Sequence, residues 1–126
     1  MTASVRYIVD DLDRAVDFYT AHLGFDVKAR PGPGFAILER SELRLLLNTP
    51  GGGGGAGESM PDGRQPVSGG WNRFQIEVDD LETTVKRLRD MGASFRNEIV
   101  TGKGGKQILL EDPAGNPIEL FQPFER

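Results

Sequence analysis

A chain of 126 residues with 37% apolar and 27% charged content is long enough for one domain with its own core and too short for two ordinary ones. Its formal charge of -4 argues against nucleic-acid binding, which calls for a basic excess or stripe, and the absence of cysteine excludes disulfides, thiolate catalysis and thiolate metal ligation. No apolar run approaches a membrane span and no signal peptide precedes the first strand-like residues, so a soluble cytoplasmic protein is expected.

The first element is an alternating strand, "SVRYIV" from Ser4. It leads into "VDDLDRAVDFYTAHLGF", where Leu12, Ala15, Val16, Tyr19 and Leu23 share one face of a helix near residues 11–23. Three more strands follow, "FDVKAR", "GFAILE" and "ELRLLLN", joined by the turn formers "PGPG" and "RS". A glycine-rich stretch, residues 51–70, then reads as a flexible linker, with lid and phosphate-binding roles as alternatives. Phosphate binding calls for a helix N-terminus directly after the glycines, and none follows here.

Beyond the linker the pattern returns. "NRFQIEV" is a strand, and "VDDLETTVKRLRDMGASF" places Leu81, Val85, Leu88 and Met91 on one face of a second helix near residues 80–91. The strands "SFRNEIV", "KQILLE" and "NPIELFQ" complete the set, separated by "TGKGG" and "DPAGN". Asp80 repeats Asp11 at a distance of 69 residues. Each helix opens on an aspartate pair, Asp10-Asp11 and Asp79-Asp80. Recurrence at both helix starts makes these pairs N-caps before it makes them acid/base catalysts. Gly24 and Gly92 suit the residue after a helix end, where a positive φ is wanted. The chain therefore reads as strand-helix-strand-strand-strand, twice: an α+β fold of two tandem βαβββ modules with curled mixed sheets forming a cleft. Residues 1–126 make a single domain in this reading, with module one at about 1–50, the linker at about 51–70 and module two at about 71–126.

Paired modules of this size resemble the vicinal oxygen chelate superfamily of glyoxalase, bleomycin-resistance and extradiol dioxygenase-like proteins. The resemblance covers nearly the whole chain, and "VDDLDRAVDFYTAHLGF" and "LLEDPAGNPIELFQP" are its most specific pieces. It implies a cleft in which the enzymes of the group hold a divalent metal, through His, Glu or Gln on the first strand of each module and Glu or His on the last. The first-strand ligand of the pattern lies seven residues before the second aspartate, which points to Ser4 and Arg73. On the last strands the pattern points to Glu119 and, by alignment of "LLLNTP" with "IELFQP", to Leu46. Glu119 alone of the four is a metal-binding residue, whereas a stable divalent site needs at least three N or O donors. Arginine, always charged, repels a cation. The sole histidine, His22, falls near the end of the first helix and reads as a surface or interface residue. No metal and no other cofactor is expected, a divalent metal being the alternative.

Strand alternation lists the cleft. Ser4, Arg6 and Ile8 face it from the first strand, and Arg44, Leu46 and Asn48 from the fourth. Trp71, Arg73, Gln75 and Glu77 face it from the fifth, and Glu119 and Phe121 from the last. Such a mixed lining suits a small-molecule pocket; a dimer interface uses the same residue types. The arginines favour a ligand with an anionic or acceptor group, and the aromatics favour a ring or acyl part. The expected function is a metal-free small-molecule-binding protein that sequesters a drug or metabolite, working as a homodimer. Two alternatives stay open: a divalent-metal-dependent lyase, transferase or dioxygenase, and a metal-free enzyme using Glu119 as base beside Arg73. Arg73 and Glu119 are expected to meet in a charge-assisted pair, since an unpaired charge in a partly dry cleft is costly.

Overall fold

The computed structural model describes residues 3–52 and 55–125. The module and linker boundaries inferred above include Met1, Thr2, Gly53, Gly54 and Arg126, which lie outside the described residues. Packing divides the chain into two units: residues 1–69 with 113–116, and residues 70–112 with 117–126.

In the first unit the chain runs β1 (Ser4–Ile8), α1 (Leu12–Leu23), β2 (Asp26–Gly32), β3 (Phe35–Arg40) and β4 (Leu43–Asn48). The strands form one sheet in the order β1-β4-β3-β2, with β1 and β4 parallel and the other neighbours antiparallel. The parallel pair is possible because α1 supplies the crossover that parallel strands need. The Asp11 carboxylate accepts the Arg14 N–H at 3.1 Å, and Gly24 turns the chain out of the helix at φ 71°. Every apolar position assigned to the face of α1 is buried. Tyr7 and Val9, with Ala36, Leu38, Leu45 and Leu47 from the sheet, complete this core. Full burial of each such leucine contributes about 1.5–3 kcal/mol. Tyr19 meets Phe25 edge to face at 5.5 Å, and His22, half-buried in the last turn, stacks on Phe18.

The second unit repeats the plan with β5 (Gln75–Glu77), α2 (Leu81–Asp90), β6 (Ser94–Phe95), β7 (Val100–Thr101), β8 (Gly105–Glu111) and β9 (Pro117–Pro123). The sheet order is β5-β9-β8-β6, with β7 also on β8. Again the first strand lies parallel to the last. Asp80 caps α2 twice over, accepting the Thr83 N–H at 3.1 Å and the Thr83 hydroxyl at 2.8 Å. Gly92 has φ 86°. Leu81, Val85 and Leu88 are buried, as are Ile76, Ile108, Leu110, Ile118 and Leu120 on the sheet. Met91, read above as part of the helix face, is exposed, because the helix ends at Asp90.

Two departures from the sequence reading have clear causes. The strand "SFRNEIV" is interrupted, because the Asn97 side chain takes the Leu109 N–H at 2.9 Å in place of a backbone carbonyl, leaving β6 and β7 two residues each. Among the described residues of the glycine-rich segment, Gly55–Gly57 form one 3-10 turn, the rest is without helix or strand, and the beginning is packed. Gly51 N–H donates to Gly57 O at 2.7 Å, and a Cβ on Gly34 or Gly52 would run into the other glycine's backbone. Glycine is needed at these positions for close approach of one backbone to another. The far end of the segment is tethered. The Ser68 hydroxyl donates to Ala114 O at 2.8 Å, and the Gly69 N–H donates to Asn116 Oδ1 at 2.8 Å. The same Asn116 donates from Nδ2 to Ile8 O at 2.8 Å, joining the segment to β1.

Candidate functional site

Side chains directly opposite one another on neighbouring strands share a face. On the second sheet Gln75 stands opposite Glu119, and Glu119 opposite Leu109. This is the face away from α2, since the residues between them are the buried ones. Glu119 is only 9% exposed. Its Oε1 accepts Arg73 Nε at 3.0 Å and Nη2 at 2.9 Å, and its Oε2 accepts Gln75 Nε2 at 2.6 Å. The expected Arg73–Glu119 pair is therefore present, with Gln75 as a third member. A third N–H of Arg73, on Nη1, donates to Trp71 O at 3.2 Å, so three of the five guanidinium N–H groups are engaged.

Trp71 precedes β5 rather than lying within it, and is 69% exposed. The Arg96 guanidinium lies 4.7 Å from its ring centroid. Arg96 is itself fixed by Glu111 at 2.8 Å and by Gly70 O at 2.7 Å. Sequence alternation does not point to Arg96, which keeps its backbone bond to Leu109 O at 2.9 Å while its side chain reaches Trp71. Phe121, half-buried, stands opposite Glu77 and Gln107, and its ring packs over Gly105.

The first sheet repeats the geometry with different chemistry. Arg6 stands opposite Leu46, as Gln75 stands opposite Glu119. The observed registers thus reproduce the 69-residue offset between Arg6 and Gln75 and make Leu46 the counterpart of Glu119. Ser4 is opposite Arg44, and Ile8 opposite Asn48. Leu46, Ile37, Phe35 and Ile8 are part-exposed on this face, and Arg6 lies 5.9 Å from the Phe35 ring centroid. Arg44 approaches Glu39 at 3.6 Å, while its buried Nε finds no partner among the described residues. Asn48 is 2% exposed, and its Oδ1 likewise has no partner among the described residues. Leaving a buried acceptor unsatisfied costs about 1–3 kcal/mol. Alternation places Asn48 on this face but cannot foresee its burial.

The four positions at which the superfamily pattern places metal ligands thus hold a serine, a leucine, an arginine and a carboxylate already held by three hydrogen bonds. This donor set does not fit a divalent ion. Among the described residues, no three His, Cys, Asp or Glu side chains group in a way that could hold one.

Residues 2–120 match the family model of the Glyoxalase/Bleomycin resistance protein/Dioxygenase superfamily. Among curated proteins, the chain is 29% identical to the probable lactoylglutathione lyase, chloroplastic, of Arabidopsis thaliana. The match covers 94% of this chain and 34% of that protein, so the chain spans about a third of that relative's length. It is 25% identical to the lactoylglutathione lyase of Escherichia coli O157:H7, over 90% of this chain and 86% of the other. Among solved structures it resembles TnmS3, an antibiotic-binding protein from Streptomyces sp. CB03234, with a TM-score of 0.73 and 26% identity, covering 98% of this chain and 95% of the other.

Proposed function

This chain belongs to the Glyoxalase/Bleomycin resistance protein/Dioxygenase superfamily, and we propose that it is a metal-free member that binds and sequesters a small molecule, a drug or a metabolite. One observation carries the reading: Glu119, the single carboxylate among the four ligand positions, is committed to Arg73 and Gln75. A metal at Glu119 would have to displace a guanidinium and then tolerate its charge nearby. The same commitment weakens the metal-free enzyme reading, because a carboxylate paired with a guanidinium gives up that pairing when it takes a proton, and Glu119 Oε1 already accepts two Arg73 donors. The remaining Arg73 N–H groups, with Trp71 two residues before Arg73 and Phe121 two residues after Glu119 on β9, suit a ligand carrying a hydrogen-bond acceptor and a ring. The likeness to an antibiotic-binding protein agrees with this reading.

The competing reading is a metal-dependent lyase, which the names of the curated relatives favour. Purified protein analysed for metal and titrated with nickel, manganese, zinc and iron decides between them. The expected result is no stoichiometric metal and no rise in Tm, since tight binding to the native state would raise it. Stoichiometric metal with Glu119 among its ligands would restore the enzyme. Native mass spectrometry should in turn find a small molecule retained from expression. In this reading the chain is a single domain that works as a cytoplasmic homodimer, and light scattering giving a monomer mass at micromolar concentration would count against the dimer.

A further inference from the structure

Buried polar groups are almost always hydrogen-bonded, and one that is not asks for an explanation. Among the described residues, Asn48 Oδ1 is such a group, on a side chain almost fully shielded from solvent. It stands at the end of β4, opposite Phe35 on one side and Ile8 on the other, with Leu46 two residues back on the same face. These three neighbours are apolar and part-exposed. Asn48 is therefore a buried member of a face on which Phe35, Ile8 and Leu46 are part-exposed, and the Arg6 guanidinium lies 5.9 Å from the Phe35 ring centroid on that face.

We propose that Asn48 is a ligand-orienting residue: its Oδ1 accepts a hydrogen bond from a hydroxyl or N–H group carried by an aromatic ring, and the ring lies over Leu46. Each part of that chemistry has a counterpart on the face. An acceptor without a donor selects a donor-bearing ligand, because a ligand lacking the donor leaves the oxygen as unsatisfied as before. The apolar neighbours take the ring, and the Arg6 guanidinium favours an electron-rich one through its attraction to the π face. A phenol-like group meets all three demands. This proposal rests on the small-molecule reading above and adds which atom of the protein reads the ligand's polar group.

The experiment uses two probes that share a ring and differ in one donor, 2-naphthol and 2-methoxynaphthalene, against the full chain and its Asn48→Leu variant. The wild-type protein is expected to bind 2-naphthol about tenfold more tightly, a difference equivalent to about 1.4 kcal/mol. The Asn48 side-chain amide signal should move with 2-naphthol in 1H–15N spectra and stay in place with the ether. Asn48→Leu should lose the preference while melting at a higher temperature than wild type without ligand, because a buried oxygen lacking a partner is gone. A lower Tm for this variant would make the amide a structural bond and overturn the proposal. So would equal affinity of the wild type for both probes, an outcome that leaves the small-molecule reading standing. Binding of neither probe up to its solubility limit also overturns it, and the retained-ligand measurement then decides the wider reading by itself. Amide shifts that follow protein concentration rather than probe would assign the oxygen to a second copy of the chain. Should Asn48→Leu fail to fold, the two-probe comparison on the wild type decides alone.

Discussion

At matching register positions module one holds Leu46 with Arg6 opposite, and module two holds Glu119 with Gln75 opposite. Module two compensates its charge locally, since three hydrogen bonds from Arg73 and Gln75 converge on Glu119. Module one keeps an apolar centre at the same place and leaves two polar atoms, Arg44 Nε and Asn48 Oδ1, without partners among the described residues. Two copies of one scaffold thus differ in how far their own side chains satisfy their polar groups. The second face holds its charge with its own side chains, while the first leaves a donor and an acceptor without partners among the described residues. A single strand position decides this: a carboxylate in β9 demands local compensation, and a leucine in β4 does not.

The comparison predicts that losing a satisfied polar group is costly, while losing an unsatisfied one is not. The largest effect should come from Asn116, whose side chain bonds both Ile8 O and the Gly69 N–H. Asn116→Ala leaves both backbone groups stranded and should lower stability by about 2–3 kcal/mol in urea unfolding. A loss no larger than that of an exposed asparagine would break the comparison. Next comes Arg73→Ala, expected to cost about 2 kcal/mol, less than a fully buried pair because the Arg73 side chain is 28% exposed against 11% for Glu119. The double variant Arg73→Met with Glu119→Leu should recover most of that loss, because the charge is removed with its partner. If the double variant is the less stable, the pair contributes more than mutual compensation.

Smaller effects sharpen the contrast elsewhere. Gly52→Ala should cost about 1 kcal/mol, because its methyl group meets the Thr49 side chain and the Gly34 backbone. Gly55→Ala, with nothing within 4 Å, should lose no stability. Equal behaviour of the two variants would show that the glycine run is uniformly loose. The smallest effect is electrostatic. The Thr83 backbone N–H, and after it the Thr83 hydroxyl, hold the exposed Asp80 carboxyl below its usual value of 3.8. A folded pKa below the unfolded one means the contribution is present above the unfolded value and is lost as pH falls through the folded one. The stability advantage of wild type over Asp80→Ala should therefore hold at neutral pH and shrink as the pH falls below the usual carboxyl value of 3.8 in paired urea titrations.

The repeat made most of this architecture legible. Apolar spacing located both helices to within a residue or two, and the aspartates marked both caps. Alternation put Gln75 and Glu119 on one face, and an argument from charge paired Glu119 with Arg73. What the sequence did not reveal depends on single side chains replacing backbone partners. Asn97 reads as one more strand residue, and its bond to the Leu109 N–H interrupts the strand just after Arg96. Asn116 reads as a turn former, and its link to Ile8 spans 108 residues that no local pattern connects. The glycine run reads as a linker because composition cannot distinguish glycine chosen for freedom from glycine chosen for close packing.

The Asn97 bond has a consequence for the life of the chain in a crowded solution. A sheet's outermost strand offers a row of unpaired backbone groups on which another chain can lay a strand of its own. Here that border is cut into two pieces of two residues, β6 and β7, with irregular backbone between them. A visiting strand would find only two residues of regular strand before each piece ends. A side-chain amide that looks like a flaw in a strand thus makes this border of the second sheet a poor template for an added strand.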